Sequence, residues 1–379
     1  MTMFTLIATA AFGLEAVVAR ELQDLGYETK TFNGYVEFSG DESAIARANL
    51  WLRTADRVLI KMGQFQAFTF DALFEQTKAL PWAEILPDDA WFPVEGRSVK
   101  SQLASVRACQ SIVKKAVVEN MRKTYGIEEF PENGQRFAIE VSILKDEATL
   151  TIDTSGNALH KRGYREVIAA APIKETLAAA LVNLSRWKPH RAFADPMCGS
   201  GTIAIEAAML AKNVAPGLNR EFASEEWPMM PTGLWAQMRA EAREAVKQDL
   251  EVEIFASDIN PEVLRYTEYH ARKAGVADIL TIHQQSVTDF RPQSLYGCVV
   301  TNPPYGERLG DIRQAQELYR QMGKRLRELD TWSAFVIASD KAFEKYYGKS
   351  ADKKRKLYNG RIETNFYQYL GPLPPRNLS

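Results

Sequence analysis

The second half of the chain alternates strand-like runs with segments of helical length, and this alternation constrains the fold more than any other feature. The runs are RAFADP, VEIFASD, DILTIHQ, CVVTNPP and WSAFVIAS, each followed by enough residues for a crossover connection. Parallel strands need connections of that length, whereas antiparallel strands can be joined by short turns. The sequence therefore predicts an α/β region with a doubly wound, mostly parallel sheet.

The residues before this region show strand and helix signals joined by short links. Residues 1–60 predict a small α+β unit, with strands in FTLIATA and GYVEFSG and helices in GLEAVVARELQDLG and DESAIARANLWLRTADRV. Residues 61–158 predict a second unit, whose longest helix is SVRACQSIVKKAVVENMRKTYG. The α/β region then spans residues 159–379. Its tail, KKRKLYNGRIETNFYQYLG, predicts an antiparallel hairpin about Asn359 and Gly360 at the sheet edge.

The near-neutral composition limits the partners that this chain can bind. The 379 residues carry a net charge of −1, so a nucleic-acid surface must be a local basic patch. Cys109, Cys198 and Cys298 are too widely spaced for a metal cluster and suit a reducing compartment. We find no signal peptide and no apolar run long enough to cross a bilayer. We therefore expect a cytoplasmic protein with no membrane partner and no metal requirement.

A glycine-containing turn, DPMCGSGTIAIEAAML, follows the first strand of the α/β region and opens a helix. Gly199 and Gly201 allow the backbone to approach a ligand closely, and a helix N-terminus favours an anion. The third glycine of a dinucleotide fingerprint and the lysine of a P-loop are missing. The turn therefore suits a smaller anion, such as the carboxylate of a methionyl group. A purely structural turn is the alternative.

Asp258, in FASDINPEVL, ends an apolar strand, where its carboxylate can accept hydrogen bonds from both hydroxyls of a ribose. Alternatively, Asp258 or Asn260 caps the helix that follows. Because this strand comes one strand–helix unit after the glycine turn, the ribose role is favoured.

The stretch TNPPYGERL follows the fourth strand, at the strand end where ligands bind in doubly wound sheets. Prolines fix φ and lack an N–H group, so the turn is stiff and offers mainly hydrogen-bond acceptors. The Asn302 side-chain oxygen and the Pro303 carbonyl can both accept from one exocyclic amine, while Tyr305 can stack on a planar ring. We predict that Asn302, Pro303, Pro304 and Tyr305 form a catalytic clamp for an aromatic amine. A simple Pro-Pro loop is the alternative.

The chemistry of such an amine suggests methyl transfer. Its lone pair is delocalised into the ring, and two acceptors on its hydrogens favour a pyramidal nitrogen with the lone pair aimed at a methyl donor. Positioning and electrostatics then carry most of the rate. Neither a metal nor a covalent nucleophile is needed.

Three groups of basic residues are candidates for contact with RNA. One lies within roughly 100° of arc on the long helix of the second unit, one lies at the start of the α/β region, and one lies on the tail hairpin. The groups are Arg107, Lys114, Lys115 and Arg122; His160, Lys161, Arg162 and Arg165; and Lys353, Lys354, Arg355 and Lys356. Such runs are often solvated faces. Our hypothesis is that they form one RNA track leading to the Tyr305 pocket.

The motifs DPMCGSGT, SDIN and TNPPYGERL together resemble the class I S-adenosylmethionine-dependent methyltransferases that act on exocyclic amines. The stretches GLEAVVARELQDLG, SVRACQSIVKKAVVENM, LHKRGYR and APIKETLAAAL resemble the THUMP-containing RNA methyltransferases, and most closely the RlmL family of bacterial 23S rRNA guanine-N2 methyltransferases. The resemblance implies a ferredoxin-like subdomain, a THUMP domain and a Rossmann-like methyltransferase domain. Some members of the family carry a second methyltransferase at the C-terminus, which we expect to be absent here.

The resemblance also implies roles for individual residues. S-adenosylmethionine would be bound by Asp195, Pro196, Gly199, Gly201, Thr202, Asp258, Ile259, Asp289 and Asn302. Lys174 and Thr176 would lie on a helix beside the cofactor. Many relatives place an acidic residue after the third strand to bind the adenine amine. Ser286 stands at that position here and Asp289 is the nearest carboxylate, so both stay candidates.

These observations predict an RNA methyltransferase that modifies guanine N2 in 23S rRNA. Four alternatives stay open: a tRNA guanine methyltransferase, an adenine-N6 nucleic-acid methylase, a methylase of a protein glutamine amide, and a non-catalytic RNA-binding assembly factor. The first three share the chemistry of the clamp, and the last would bind without turnover.

Overall fold

The computed structural model describes residues 2–165, 173–306 and 309–375. The chain divides into two compact units that interleave along the sequence. The N-terminal unit comprises Met1–Ala10, Ala19–Leu159 and Glu221–Ala240, and the C-terminal unit comprises Ala11–Val18, His160–Arg220 and Glu241–Ser379. Within the described residues, no helix combines the length and apolar character needed to cross a membrane.

The N-terminal unit is built on a seven-stranded mixed sheet. Its strands are β1 Phe4–Ala10, β2 Thr29–Phe32, β3 Tyr35–Gly40, β4 Ala55–Gln66, β5 Val94–Val99, β6 Ile139–Leu144 and β7 Glu147–Asp153. The order is β2-β3-β1-β4-β7-β6-β5, and β5 and β6 form the parallel pair. Its helical elements are α2 Glu42–Trp51, α3 Phe70–Lys78 and α4 Val106–Tyr125, while α1 Glu15–Asp24 begins in the other unit's share of the chain.

Helix α2 ends earlier than the sequence predicts. It begins at the Asp41 cap, whose carboxylate accepts from the backbone N–H groups of Ser43 and Ala44, and it ends at Trp51. The sequence predicts helix through residue 58, but Ala55 already belongs to β4, which pairs with both β1 and β7. Ladder pairing on both sides outweighs the helical pattern of this segment. Strand β4 also runs through residue 60, where one domain boundary is predicted.

The C-terminal unit contains the doubly wound sheet that the sequence predicts. Its strands are β8 Phe193–Asp195, β9 Ile254–Asp258, β10 Leu280–Gln284, β11 Cys298–Thr301, β12 Ser333–Ala338, β13 Lys353–Asn359 and β14 Ile362–Tyr369. The order is β10-β9-β8-β11-β12-β14-β13, with β8 to β12 parallel and the β13–β14 hairpin antiparallel at the edge. This arrangement confirms the predicted α/β fold class and the predicted hairpin.

Helices cover both faces of this sheet. They are α5 Glu175–Leu184, α6 Thr202–Ala211, α8 Pro261–Lys273, α9 Leu309–Arg327 and α10 Phe343–Tyr347, and α7 Leu234–Glu244 spans the two units' shares of the chain. Every residue of β8, β11 and β12 is buried, as expected for central parallel strands. The strand order reverses between β8 and β11, so the carboxyl ends of these two strands flank the crevice where such sheets bind ligands.

Residues 221–240 belong to the N-terminal unit, although they lie within the predicted 159–379 region. The indole of Trp227 stacks on Phe137 with ring centroids 4.4 Å apart, and its Nε1 donates to the carbonyl of Arg136 at 3.1 Å. Trp227 is 2% exposed. The segment therefore completes the core of the first unit. The domain boundaries at residues 60 and 158 stay predictions.

Candidate active site

The glycine turn lies between β8 and α6, and its two glycines have different surroundings. Gly201 has φ +83 and precedes the first turn of α6; a Cβ there would lie 2.5 Å from the side chain of Thr267. Gly199 has φ +52, and a Cβ there would meet nothing within 4 Å. Gly201 is therefore required by close packing, while the backbone at Gly199 borders open space that a ligand can occupy. This fits a bound cofactor.

Helix α8 and the end of β9 hold the turn in place. The Thr267 hydroxyl donates to the Gly199 carbonyl at 2.8 Å, and Nδ1 of His270 lies 3.1 Å from the Ser200 carbonyl. The Gly199 N–H donates to Oδ2 of Asp258 at 3.0 Å. Three backbone groups of the turn thus have partners on neighbouring elements, so the open face at Gly199 is preorganised.

Asn260, rather than Asp258, caps α8. The Asn260 side chain accepts from the backbone N–H of Glu262 at 2.9 Å. The Asp258 carboxylate accepts instead from the backbone N–H groups of Gly199 and Asn260, one on each oxygen, at 3.0 Å. Each carboxylate oxygen retains a second lone pair, which leaves acceptors for two hydroxyl groups. The next residue, Ile259, is 71% exposed and offers an apolar surface beside this carboxylate.

Asp195 joins the glycine turn to the strand that carries the clamp. Asp195 is 2% exposed, and its Oδ1 accepts from the Thr301 hydroxyl at 2.7 Å. Burial raises the pKa of this carboxyl to about 7, against the lowering effect of the Thr301 hydrogen bond. Pro196, which follows it, is also buried. Because Thr301 directly precedes Asn302, Asp195 couples the position of the predicted cofactor turn to that of the predicted clamp.

The clamp residues leave β11 in the predicted order, and Asn302 carries an unused acceptor. Its Oδ1 is buried and has no hydrogen-bond partner among the described residues. A buried acceptor of this kind is costly unless a donor arrives. Pro303 is buried and Pro304 is exposed. The site thus offers an acceptor for an incoming amine hydrogen.

Two residues from other elements, Tyr319 and Asn359, hold the clamp in place. The hydroxyl of Tyr319, on α9, donates to the Pro304 carbonyl at 2.7 Å. Nδ2 of Asn359, at the end of β13, donates to the Tyr305 hydroxyl at 3.3 Å. Burial raises the pKa of Tyr305 to about 12, so its ring carries a neutral hydroxyl at physiological pH. The sequence did not identify Tyr319 or Asn359, because no local motif links them to the clamp.

The residues considered for the adenine contact follow β10. Ser286 caps the short 3₁₀ helix Val287–Asp289, and its hydroxyl accepts from the Thr288 N–H at 3.3 Å. Asp289 is exposed. Both lie beyond the carboxyl end of a strand next to β9, so both stay candidates.

A buried ionic network supports the start of α6, and it includes Arg162 and Arg165, which the sequence predicts as RNA contacts. Arg165 pairs with Glu175 at 3.2 Å and donates to Oγ1 of Thr202 at 3.4 Å. Arg162, whose side chain is 2% exposed, pairs with Glu206 at 3.4 Å. Arg162 is therefore wrong as an exposed RNA contact, and Arg165 is largely committed to this network. Buried guanidinium groups need such partners.

The first residue of α5, Glu175, belongs to the same ionic network. Lys174, at the N-cap of α5, is exposed, while Thr176 is buried. Burial raises the pKa of Glu175 to about 7, with Arg165 acting in the opposite direction. The roles of Lys174 and Thr176 toward a cofactor stay predictions.

Only some residues of each basic group are exposed. On α4, Arg107 and Lys115 are exposed, whereas Lys114 donates to the Phe92 carbonyl at 3.0 Å and Arg122 pairs with Glu119 at 3.0 Å. Lys161 is exposed beside the buried Arg162. A continuous track along all three groups stays a hypothesis.

The hairpin run is divided by the pleat of β13. Lys354 and Lys356 alternate with Lys353 and Arg355, and alternate residues of a strand face opposite sides. Lys354 pairs with Glu344, and Lys356 pairs with Glu363, each at 2.7 Å. Lys353 is exposed. Within the described residues, no group of three or more metal-ligating side chains occurs.

Three known domain families match successive parts of the chain. The family described as "RMKL-like, methyltransferase domain" matches residues 162–368, over half of the chain. The "RlmL ferredoxin-like domain" matches residues 5–59, and the "THUMP domain" matches residues 67–153.

Two curated relatives align along nearly the whole chain. A Bacillus subtilis protein named "Putative RNA methyltransferase YpsC" is 50% identical, covering 99% of this chain and 98% of its own. "Ribosomal RNA large subunit methyltransferase K/L" of Psychromonas ingrahamii is 33% identical over 97% of this chain, which spans 50% of that longer protein.

Two solved structures are similar throughout. One, from Listeria monocytogenes, is described as "a predicted N6-adenine-specific DNA methylase"; it is 55% identical, with a TM-score of 0.94 and coverage of 98% of this chain and 97% of that one. The other, "SMU.472, a putative methyltransferase complexed with SAH", is 44% identical, with a TM-score of 0.94 and coverage of 99% and 100%.

Proposed function

This chain belongs to the RlmL-like methyltransferase family, and on that premise we propose that it methylates the exocyclic N2 amine of a guanine in 23S rRNA. The methyl donor of the family is S-adenosylmethionine, whose sulfonium group supplies an activated methyl when bound. The proposal extends the family assignment to one base, one atom and one class of RNA.

The observation that carries the proposal is the buried Oδ1 of Asn302, for which the described part of the chain supplies no hydrogen-bond partner. It lies at the carboxyl end of β11, one residue after the Thr301 hydroxyl that donates to Asp195. An amine hydrogen would satisfy this acceptor, and the adjacent Pro303 carbonyl offers a second. Two acceptors on one amine draw its hydrogens out of the ring plane and localise the nitrogen lone pair. The chain's residues therefore activate and orient the nucleophile without removing a proton first.

The residues around the donor site have matching tasks. Gly199 presents open backbone, and Asp258 presents carboxylate lone pairs for ribose hydroxyls. Asp195 offers a carboxyl group whose ionised form would pair with the ammonium of a methionyl group. The Tyr305 ring, held by Asn359, supplies a stacking face for the target base.

The choice of a guanine in rRNA as the substrate is supported by the domains that the chain contains, and not by the geometry of the clamp. The matches to the RlmL ferredoxin-like and THUMP domains cover residues 5–59 and 67–153. The Psychromonas relative is named for large-subunit rRNA. The clamp itself would accept an adenine N6 amine equally well, and the Listeria structure carries a DNA adenine description. Adenine-N6 methylation is therefore the second candidate.

The test offers the purified protein radiolabelled S-adenosylmethionine and three separate substrates: unmodified 23S rRNA, tRNA and DNA. After digestion, label in N2-methylguanosine from rRNA alone is the expected result. Label in tRNA guanine would change the RNA class, and label in DNA adenine would replace the proposal with the second candidate. Cofactor binding without any label would contradict catalysis on these substrates.

A variant pair links the result to the clamp. Asn302→Ala should lower the turnover rate by about 100-fold or more, in line with the loss of a catalytic electrostatic contact. Cofactor affinity should stay within about twofold if the side chain acts on the amine. Gln248→Ala, an exposed amide before β9 at the opposite end of the sheet, is the matched control and should leave turnover unchanged.

A further inference from the structure

The segment around Phe12 and Gly13 lies against the outer edge of β13 within the C-terminal unit. Gly13 has φ +86, and a Cβ there would lie 2.9 Å from the Lys356 carbonyl. Nη1 of Arg355 donates to the Gly13 carbonyl at 3.0 Å. Only glycine combines this backbone conformation with this close approach. The contact fixes a residue from the start of the chain beside a hairpin near its end.

This contact holds an aromatic side chain at the surface. Phe12 is 58% exposed, and its ring meets Tyr358 edge to face, with centroids 5.9 Å apart and planes at 78°. Nζ of Lys356 lies 5.6 Å from the centre of the Tyr358 ring. We call Phe12, Tyr358 and Lys356 the Phe12 surface. An exposed ring held by a glycine and an arginine is not explained by packing of the core.

The Phe12 surface is joined to the clamp by one residue. Asn359 follows Tyr358 in β13, and its Nδ2 donates to the Tyr305 hydroxyl at 3.3 Å. Tyr358 and Asn359 are consecutive residues of β13, with Cα atoms about 3.8 Å apart, and their side chains leave opposite faces of the strand. A nucleic acid that places one base at Tyr305 and passes around the outer edge of β13 would bring adjacent nucleotides to this surface.

We propose that the Phe12 surface stacks an unpaired nucleotide next to the target base, with Lys356 contacting its phosphate. The inference rests on the proposed RNA substrate and adds a specific binding surface to it. A base can react at a buried amine site only after leaving its stack, which deprives its neighbours of a stacking partner. Exposed aromatic rings beside basic residues supply that partner in single-strand binding proteins.

The charges on the surface are compatible with a phosphate. Lys356 pairs with Glu363 at 2.7 Å, but both side chains are about half exposed, at 49% and 51%. Exposed ion pairs of this kind contribute little to stability, so a phosphate can replace the carboxylate at small cost. Lys353 and Lys354, on the same strand, are also exposed.

The test measures binding of a short fluorescein-labelled single-stranded RNA, at several salt concentrations, with S-adenosylhomocysteine present. Phe12→Ala should weaken binding about 5- to 100-fold without changing the salt dependence, because a ring carries no charge. Phe12→Leu keeps an apolar side chain but lacks the π face and should lose most of the same affinity. Lys356→Gln should lower the slope of log K against log salt by about 0.7.

Two controls make the result decisive. Leu295→Ala removes a 66% exposed apolar side chain before β11, at the opposite end of the sheet, and should bind like the wild type. The duplex form of the same RNA should be insensitive to Phe12→Ala. Wild-type affinity in both Phe12 variants, or equal loss for duplex and single strand, would overturn the stacking role. If the stacking role fails but the wild type methylates RNA in a parallel assay with S-adenosylmethionine, the proposed function survives; if it neither binds nor methylates RNA, both fail.

Discussion

At the scale of single residues, the carboxyl group of Asp195 both holds Thr301 by a hydrogen bond and has a raised pKa. It accepts from the Thr301 hydroxyl at 2.7 Å and lies almost completely out of solvent. Burial raises its pKa from an ordinary 3.8 to about 7. In the unfolded chain the group ionises near its ordinary value, so between about pH 4 and 7 the native state binds more protons. Stability must then fall as the pH rises through this window.

Asp195→Asn should remove this contribution while preserving an acceptor for Thr301. We expect the free energy of unfolding of the wild type to decline more steeply from about pH 4 to 7 than that of the variant. Urea unfolding at several pH values measures both slopes. Glu175, whose pKa burial also raises to about 7, titrates in both proteins, so the difference isolates Asp195. Parallel pH profiles for the two proteins would show that Asp195 does not titrate in this range.

At the scale of elements, α9 braces the clamp through a single hydroxyl. Tyr319 is fully buried, its ring packs edge to face on Phe343, and its hydroxyl donates to the Pro304 carbonyl at 2.7 Å. Two prolines already restrict the turn, and this hydrogen bond fixes the orientation of the Pro304 carbonyl. We infer that Tyr319 is a positioning residue, since it acts through the backbone of the clamp.

Tyr319→Phe should lower kcat about 3- to 10-fold, the effect of losing one net hydrogen bond that aligns the reacting group. The KM for the methyl donor should stay constant, because the glycine turn is untouched. Steady-state kinetics separate the two constants. Tyr369→Phe is the matched control: it removes a hydroxyl bonded to the Lys349 carbonyl at 3.2 Å in the same core cluster. A similar fall in kcat for both variants would indicate a general packing effect.

The elements also show what the sequence can reveal. The alternation of apolar runs and helical segments predicts all five described parallel strands of the second sheet, and the signal is clearest for β8, β11 and β12, whose residues are all buried. The glycine turn and Asn302–Tyr305 were found because each is a local motif. The sequence does not predict the end of α2 at Trp51, because the residues from Ala55 onward form β4 only through pairing with β1 and β7. Tyr319 and Phe12 act through contacts that only the fold creates; Gly13 and Arg355 are 342 residues apart.

At the scale of the whole molecule, the chain crosses between its two units several times. Residues 221–240 return to the N-terminal unit, where Trp227 stacks on Phe137 and the Ser224 N–H donates to the Thr154 carbonyl at 3.1 Å. The stability of the first unit therefore depends on a segment that follows the glycine turn in sequence.

Trp227→Ala should destabilise the N-terminal unit by about 3–5 kcal/mol, the usual cost of deleting a buried aromatic side chain. Urea unfolding followed by circular dichroism should show an earlier transition, while affinity for the methyl donor stays near that of the wild type. Trp91→Ala, at a 47% exposed position of the same unit, should cost about 1 kcal/mol or less. Equal destabilisation by both variants would argue against a core role for the 221–240 segment.

The interleaving also bears on how such a chain can change over evolutionary time. Ala11–Val18 belongs to the C-terminal unit and Glu221–Ala240 to the N-terminal one, so any single recombination breakpoint leaves at least one unit incomplete. A single breakpoint cannot pass on one unit both whole and free of segments of the other. The two units are therefore inherited together, and selection on one constrains the sequence of the other.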